Sequence, residues 1–224
     1  MPVLSAILHF LSQHSLLSMP LIILFWLGIG ALLARLWRNA GCLALGVVGF
    51  VLGMVNVFAA SSINALFVNA VGTRGSAVIV HAEETSSQLN DQNIWRYEAV
   101  LRTADGRDVK FGFDTMSASL YPPRNEIEIP PVGERFVVKY TPGFERNVAI
   151  LRDESPFGKR RLVQEAREPV ERARQQLLAS PDNADFKAEY RAALQTFLSR
   201  HAADAPPGLT DQYRRELVRI DAPR

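Results

Sequence analysis

Cysteine and histidine are scarce in this chain, and their scarcity excludes several kinds of chemistry. Cys42 is the only cysteine, so an intrachain disulfide, a zinc site built on cysteines and a paired redox motif are all excluded. Of the four histidines, His81 lacks the second histidine of a zinc-protease helix, and no phosphate-binding glycine loop follows a predicted strand. We therefore expect a protein that is not an enzyme and that binds no cofactor and no metal.

Charge is almost missing from the first 70 residues, where Arg35 and Arg38 are the only charged side chains. Two long apolar segments flank this pair, the first from Leu16 to Ala34 and the second from Cys42 to about Ala60. Because about 19 helical residues at ~1.5 Å each cover the roughly 30 Å hydrocarbon core of a bilayer, residues 1–70 are predicted to form a two-helix transmembrane hairpin. The residues before the first span form a short amphipathic segment.

The second apolar segment contains Gly46, Gly49 and Gly53, which recur at helical spacing on roughly one side. Small residues of this kind let two membrane helices approach closely, and Gly28 and Ala31 on the first span are expected to face them. Glycine is also simply common in membrane helices. The spacing therefore leaves helix packing and plain composition open as explanations.

Arg35 and Arg38 also set the expected orientation. The residues before the first span include no Lys or Arg, and only Arg74 follows the second span closely. Because short loops rich in positive charge stay on the cytoplasmic side, the turn is predicted to be cytoplasmic. The soluble part would then lie in the periplasm, and the protein would be a two-pass protein of the bacterial inner membrane.

The remainder of the chain is electrically neutral. Subtracting Arg35 and Arg38 from the 25 Lys and Arg of the chain leaves 23, which equals the 23 Asp and Glu. A domain that neutralises nucleic-acid phosphates needs a basic excess on one face. We therefore expect no nucleic-acid partner.

Alternating apolar residues predict a small antiparallel β-barrel or curled sheet in residues 71–152. The first strand is expected to bury Val78 and Val80, and residues 83–93 are expected to form a loop. A fourth strand is expected to bury Phe136, Val138 and Tyr140, after a proline-rich connection. Five strands in about 80 residues suffice for a marginal core.

The strongest local pattern is a hairpin around Gly106. A two-residue loop would place the aromatic residues of its two strands on opposite faces, whereas a three-residue loop of residues 104–106 places them all on one face. We therefore predict the longer loop, with Gly106 in the left-handed conformation of a G1 bulge. The alternating positions are Trp95, Tyr97, Ala99 and Leu101 before the turn, and Val109, Phe111 and Phe113 after it.

Short motifs on both sides of this hairpin resemble a known family. They are Gly72, Gly75, Ala77 and Val78 around the start of the first strand, and Gly133, Glu134, Arg135, Val138, Tyr140 and Pro142 around the fourth. Together with the aromatic strand and the Asp-Gly turn, they resemble the bacterial membrane-protein family of the domain of unknown function 3592. The resemblance covers roughly residues 72–151 and implies one or two membrane helices beside a small β-domain, with no catalytic residue to carry over. Thr141 departs from the family, in which an Asp often precedes the proline.

Residues 153–224 are predicted to form a charged helical tail. An apolar seam including Val163, Val170 and Leu177 is expected to pack on the β-domain or on another helix. Because an interior proline removes a backbone hydrogen bond, a kink or a fresh helix start is expected at Pro169. A second helix is predicted after Pro181, and Thr210 is expected to cap a third.

Lys159, Arg160 and Arg161 make the start of this tail basic. Such a cluster either contacts anionic lipid headgroups or an acidic partner, or forms a solvated face whose charges pair with interleaved glutamates. The sequence leaves both explanations open.

These features predict a protein anchored in the lipid bilayer that binds another envelope protein, or a second copy of itself, through its β-domain and helical tail. The alternative is an envelope enzyme or transport accessory. That alternative needs a polar pocket beside His81 and Asp114.

Overall fold

A computed structural model describes residues 1–89 and 91–222, which form two compact units, Met1–Ser155 and Pro156–Arg224. Asn90, within the predicted loop, and the last two residues of the predicted tail lie outside the described residues.

The first unit begins with three helices. They are α1 (Pro2–Gln13), α2 (Ser15–Trp37) and α3 (Leu45–Val71), with a 3-10 helix at Ala40–Ala44 before α3. Two stretches, α2 and residues 40–71, are long and apolar enough to cross a membrane. Only 11% of the most apolar part of the first and 17% of that of the second is buried. The two predicted apolar helices are therefore present, with their apolar side chains largely exposed.

A six-stranded sheet follows the helices. Its strands are β1 (Thr73–Leu89), β2 (Gln92–Arg102), β3 (Asp108–Asp114), β4 (Leu120–Tyr121), β5 (Arg135–Thr141) and β6 (Phe144–Leu151). They lie in the order β3-β2-β1-β5-β6-β4, and all neighbours are antiparallel except β4 and β6, which are parallel. The sheet is therefore mixed and open rather than a closed barrel. Closure fails because β4 has only two residues and the proline-rich segment after it forms no strand to meet β3.

The predicted loop at residues 83–93 is largely wrong, because β1 extends to Leu89 and β2 begins at Gln92, so that the two strands form a long hairpin. Glu83 forms an ion pair with Arg96 at 2.9 Å, and Thr85 Oγ1 donates to the carbonyl of Ile94 at 2.6 Å. Backbone pairing tolerates polar side chains where both faces of a hairpin meet solvent. The polar residues that suggested a loop therefore belong to strands whose side chains face solvent.

The buried face of β1 also differs from the prediction. Ala77 and Ile79 are fully buried, whereas Val80 is 55% exposed. Pairing with β2 places Ile79 opposite Ala99, and the register then shifts between Ile79 and His81. Because a shift of one residue exchanges the two faces of a strand, pairing decides which of the alternating valines and isoleucines enter the core.

The hairpin around Gly106 is confirmed. Leu101 pairs with Val109, Ala99 with Phe111, and Tyr97 with Phe113. Gly106 has a φ of +84°, and its N–H donates to the carbonyl of Thr103 at 3.0 Å. On the fourth predicted strand, here β5, Phe136, Val138 and Tyr140 are buried as expected.

The irregular segment after β4 is held by a buried arginine. The guanidinium of Arg152 donates to the carbonyl of Glu126 at 2.8 Å and to that of Pro122, and the side chain is fully buried. Burial lowers the pKa of Arg152 below the ordinary value for arginine. Hydrogen bonds from the charged guanidinium to backbone carbonyls thus hold this segment in place, where a strand would use backbone hydrogen bonds.

The second unit is a group of three helices, α4 (Pro156–Ala179), α5 (Ala184–His201) and α6 (Pro207–Asp221). Their core contains the predicted seam of α4, so the seam packs on other helices of the tail. Its buried members are Val163, Val170, Ala173, Tyr190, Leu194, Phe197, Ala205 and Tyr213.

The second predicted helix of this unit is present after Pro181, whereas no fresh helix starts at Pro169 and Thr210 does not cap the third helix. The helix α4 continues through Pro169, because its seam is packed on both sides of the proline through Val163 and Val170. The helix α5 begins at Ala184, where the Asn183 side chain accepts the N–H groups of two residues in the first turn. The helix α6 begins at Pro207, so Thr210 lies inside it.

Replacing Leu194 by alanine is expected to lower the free energy of unfolding of the helical unit by about 2–5 kcal/mol, because a fully buried leucine leaves a cavity. Leu178 is 63% exposed, and its replacement by alanine is the matched control, expected to cost under ~0.5 kcal/mol. Hydrogen exchange of residues 184–201 in the full-length protein measures both. Equal exchange rates in the two variants would contradict the packing of α5.

Candidate functional site

The three glycines of the second apolar helix lie where α3 meets α2. A Cβ atom on Gly49 would lie 2.7 Å from the Cβ of Trp26 and 3.2 Å from the Cα of Ile23, and one on Gly53 would lie 3.1 Å from the Cγ of Met19. Gly46 lies against the side chain of Leu27. The two backbones thus approach so closely that side chains at these positions would collide.

The expectation for the first span is wrong in its residues. Gly28 has open space around its Cα and Ala31 is exposed, so neither faces α3. Gly30 instead packs against the 3-10 helix that leads into α3, because a Cβ there would lie 2.6 Å from the carbonyl oxygen of Cys42. The contacting residues Met19, Ile23, Trp26 and Gly30 follow one another at intervals of three and four, which is the spacing of a helix seam.

A buried hydrogen bond lies in the same helix pair. The side chain of Asn56 on α3 donates to the hydroxyl of Ser18 on α2 at 2.6 Å. Side-chain hydrogen bonds of this kind link helices in an apolar environment, where the alternative is an unsatisfied amide.

Arg35 and Arg38 lie at the end of α2 that leads into α3. Arg35 is in the last turn of α2, and Arg38 ends the helix with a φ of +51°. Both side chains are exposed, and so is neighbouring Trp37. The sheet is attached at the opposite end of α3, after Gly72.

Four buried polar side chains join α1 and α3 to the sheet: Ser5, Asn64, Ser119 and Asn147. The amide of Asn64 donates to Asn147 Oδ1 at 2.7 Å and to Ser119 Oγ at 2.8 Å. The amide of Asn147 donates to Asn64 Oδ1 and to Ser5 Oγ, both at 2.9 Å. Because satisfied polar groups in a low-dielectric site hold one geometry, this cluster locks the helices to β6. An asparagine inside an apolar helix was the sequence signal for it.

The end of α3 is fixed to the sheet in a second way. The Lys139 ammonium on β5 donates to the carbonyl of Asn69 in the last turn of α3 at 2.5 Å, which places a positive charge at the negative end of the helix. Gly72 alone separates α3 from β1. A Cβ there would lie 3.0 Å from the carbonyl oxygen of Tyr140, so glycine permits the close contact.

The helix α1 turns its polar side toward the sheet and its apolar side outward. Ser5 and Ser12 are buried, and the Gln13 amide donates to the carbonyl of Ser117 at 3.4 Å. Ile7 and Phe10 are 51% and 43% exposed. This is the reverse of the arrangement on a water-soluble protein.

A groove of ≈ 760 Å³ runs from α1 across β3 onto the β2–β3 hairpin. His9, Gln13 and His14 form one wall, and Arg146 of β6 lies beside them. Burial lowers the pKa of His9 below its ordinary value, and the nearby charges of His14 and Arg146 lower it further. Lys110, Gly112 and Asp114 of β3 also line the groove, as do Tyr97 and Phe113, whose rings stack on each other.

The basic cluster of the tail is engaged within its own unit. Lys159 pairs with Asp204 at 2.7 Å, and Arg161 pairs with Glu165 at 2.5 Å. Arg160 is exposed. This arrangement favours a solvated, internally paired face over a surface that attracts lipid or an acidic partner.

The features that define the molecule are thus an open mixed sheet, a groove along its β3 edge, and a glycine-packed pair of apolar helices bonded to the sheet. Comparison of the chain with protein-family models, with curated proteins and with solved structures finds no match. Among residues 1–89 and 91–222, no group of three or more His, Cys, Asp or Glu side chains is placed to hold a metal ion.

Proposed function

We propose that this chain is a two-pass protein of the bacterial inner membrane that presents a protein-binding β-domain and a helical unit to the periplasm. The buried cluster of Asn64 and Asn147 carries the proposal, because it bonds the sheet rigidly to the apolar helix pair. A sheet held in this way has a fixed position at the membrane surface, which suits a protein that docks an envelope partner.

Exposure of the apolar helices supports the membrane assignment. The core helix of a soluble protein is mostly buried, whereas large apolar side chains such as Leu24, Phe25 and Phe58 are 63%, 64% and 78% exposed. Membrane lipid is the solvent in which such surfaces are stable. A cleaved leader would also leave the Gly49 face of α3 uncovered, which argues for both helices remaining in the protein.

The orientation rests on Arg35 and Arg38, which the positive-inside rule places in the cytoplasm. The sheet is attached at the other end of the helix pair and would then be periplasmic. Assignment to the family of the domain of unknown function 3592 is part of the proposal, since that resemblance implies the same combination of membrane helices and a small β-domain.

Binding rather than catalysis is proposed for the groove. Asp114 lines it, but the carboxylate accepts the N–H groups of Met116 at 2.9 Å and Ser117 at 2.7 Å, which is a turn-forming role. His81 is exposed and is not among the residues that line the groove. The enzyme or transport alternative requires these two residues to converge on one pocket.

Two fusions after Arg224 test the orientation. A phosphatase that is active only in the periplasm is expected to be active, and a fluorescent protein that matures only in the cytoplasm is expected to stay dark. Changing both Arg35 and Arg38 to asparagine removes the charge bias, so mixed signals from both reporters are expected. Fluorescence from the unchanged protein would overturn the orientation.

Protein binding is tested on the chain purified from its native membrane in mild detergent. A second polypeptide in a fixed stoichiometric ratio, or a defined oligomer of this chain, is the expected result. A single chain of 24.9 kDa per micelle, unchanged after chemical cross-linking in cells, would contradict a binding function.

A further inference from the structure

The strand β3 has a free hydrogen-bonding edge. It stands at the end of the strand order, so among residues 1–89 and 91–222 β2 is the only strand hydrogen-bonded to it. In an antiparallel pair, residues that exchange hydrogen bonds alternate with residues that direct theirs away. Thr115 N–H donates to the carbonyl of Trp95 at 2.9 Å. Counting back from this bond along the paired residues, Lys110 and Gly112 direct their N–H and C=O groups away from β2.

The free edge opens into the groove, which Lys110 and Gly112 both line. Gly112 has no side chain, so another backbone can approach it closely. β3 itself contains no proline and is paired over its full length without a bulge, so the lysine at its centre is the protective feature of the strand. The helix α1 and the strand β6 line the groove beside this edge through His9, Gln13 and Arg146.

Charge indicates what fits there. Lys110 and Arg146 are both exposed and both line the groove, and neither forms an ion pair among the residues that the structure describes. The carboxylate of Asp114 is already engaged, because it accepts two N–H groups in the turn that follows β3. A segment carrying carboxylates would therefore meet two available cations, against the single exposed carboxylate that lines the groove among the described residues, that of Glu98 on β2. A second copy of β3 would instead bring a second Lys110 to the same interface, where like charges oppose pairing.

We infer that the groove takes an extended, acidic segment of a partner protein, which adds to β3 as a further strand and bonds to the backbone of Lys110 and Gly112. Strand addition of this kind draws its affinity from main-chain hydrogen bonds and its specificity from alternate side chains. The inference rests on the proposed protein-binding function and names its site and the chemistry of its partner.

The test selects nine-residue peptides from a random display library on the full-length protein in nanodiscs of zwitterionic lipid. Enriched peptides are expected to alternate β-branched residues with glutamate or aspartate. Deuterium uptake of residues 108–114 is expected to slow when such a peptide is added, since their free amides become bonded.

Two variants at one position separate the backbone from the charge. Lys110→Pro removes an N–H that points away from β2, so it leaves the β2–β3 ladder intact and is expected to weaken peptide binding by about tenfold or more. Lys110→Gln keeps the N–H and removes the charge, so a loss of only about two- to fivefold is expected. The double variant Lys110→Glu and Arg146→Glu changes only exposed side chains and is expected to abolish binding of the acidic peptides.

Peptides that bind the Lys110→Pro and the double variant as tightly as the unchanged protein would overturn the strand site while leaving protein binding elsewhere intact. Failure to enrich any peptide would also overturn it. Loss of all binding in nanodiscs rich in anionic lipid would assign the groove to a lipid headgroup. A dimer that Lys110→Pro converts to a monomer would assign it to a second copy.

Discussion

Replacing Gly49 by leucine is expected to separate α2 from α3 and to prevent the apolar helix pair from forming. A Cβ at this position already lies 2.7 Å from the Cβ of Trp26 and 3.2 Å from the Cα of Ile23, and the latter is backbone that cannot turn aside. The remaining leucine atoms need still more room. Overpacking typically costs about 1–3 kcal/mol, and more where backbones must move, so we expect at least about 3 kcal/mol here.

Gly28 provides the matched control, because it is a glycine in the partner helix with nothing within 4 Å of its Cβ position. Gly28→Leu is expected to leave the helix pair intact. Cysteines introduced at Ser18 and Asn56, whose side chains meet across the helix pair, report the pairing through disulfide formation in membranes once Cys42 is changed to serine. Efficient cross-linking in a Gly49→Leu background would show that the two helices do not depend on this contact.

Replacing Asn147 by leucine is expected to uncouple the helices from the sheet. Leucine has the same number and branching of side-chain heavy atoms as asparagine but leaves the buried amide of Asn64 and the hydroxyl of Ser5 without this partner. Each unsatisfied buried group costs about 1–3 kcal/mol, so a loss of about 2–4 kcal/mol is expected. For a chain of this size, that corresponds to a fall of roughly 5–15 °C in the melting temperature.

Asn93→Leu is the control for this change, because Asn93 is an exposed asparagine on β2. Its replacement is expected to shift the melting temperature by no more than about 2 °C. Limited proteolysis of the detergent-purified protein at the Gly72 connection gives a second readout, since uncoupling exposes it. A melting temperature of the Asn147→Leu variant equal to that of the control would show that the buried cluster does not hold the two parts together.

Local sequence patterns predicted the structure correctly where a residue type suits only one backbone conformation or one environment. The Asp-Gly turn predicted the register of the β2–β3 hairpin, because only one loop length places all the aromatic residues on one face. Patterns failed in β1, where Val78, Ile79 and Val80 are equally apolar and a bulge selects among them. The sequence likewise could not distinguish Gly28 from Gly30 as the residue that packs closely, because the residues around both on α2 are similarly apolar.

The groove and the polar cluster were beyond local patterns for a different reason. Asn64 and Asn147 lie 83 positions apart along the chain, and Lys110 and Arg146 lie on strands that are not neighbours in the sheet. Lys110, Arg146 and Asn147 each fit an ordinary surface position, and Asn64 within the apolar α3 signals a polar contact without naming its partner. The folded structure shows that Asn64 and Asn147 are buried and bonded to each other, and that Lys110 and Arg146 line one groove at the edge of β3.

The amino-acid sequence by itself determined the apolar helix pair, the tight hairpin and the charged helical tail. These follow from apolar length, turn chemistry and the helical repeat, which act within a few residues of one another. Tertiary structure alone decided that the sheet stays open, that α1 turns its polar side inward, and that β3 keeps an unpaired edge. Those outcomes depend on which segments meet across the fold, because hydrogen bonds between distant segments are made only once the chain has folded.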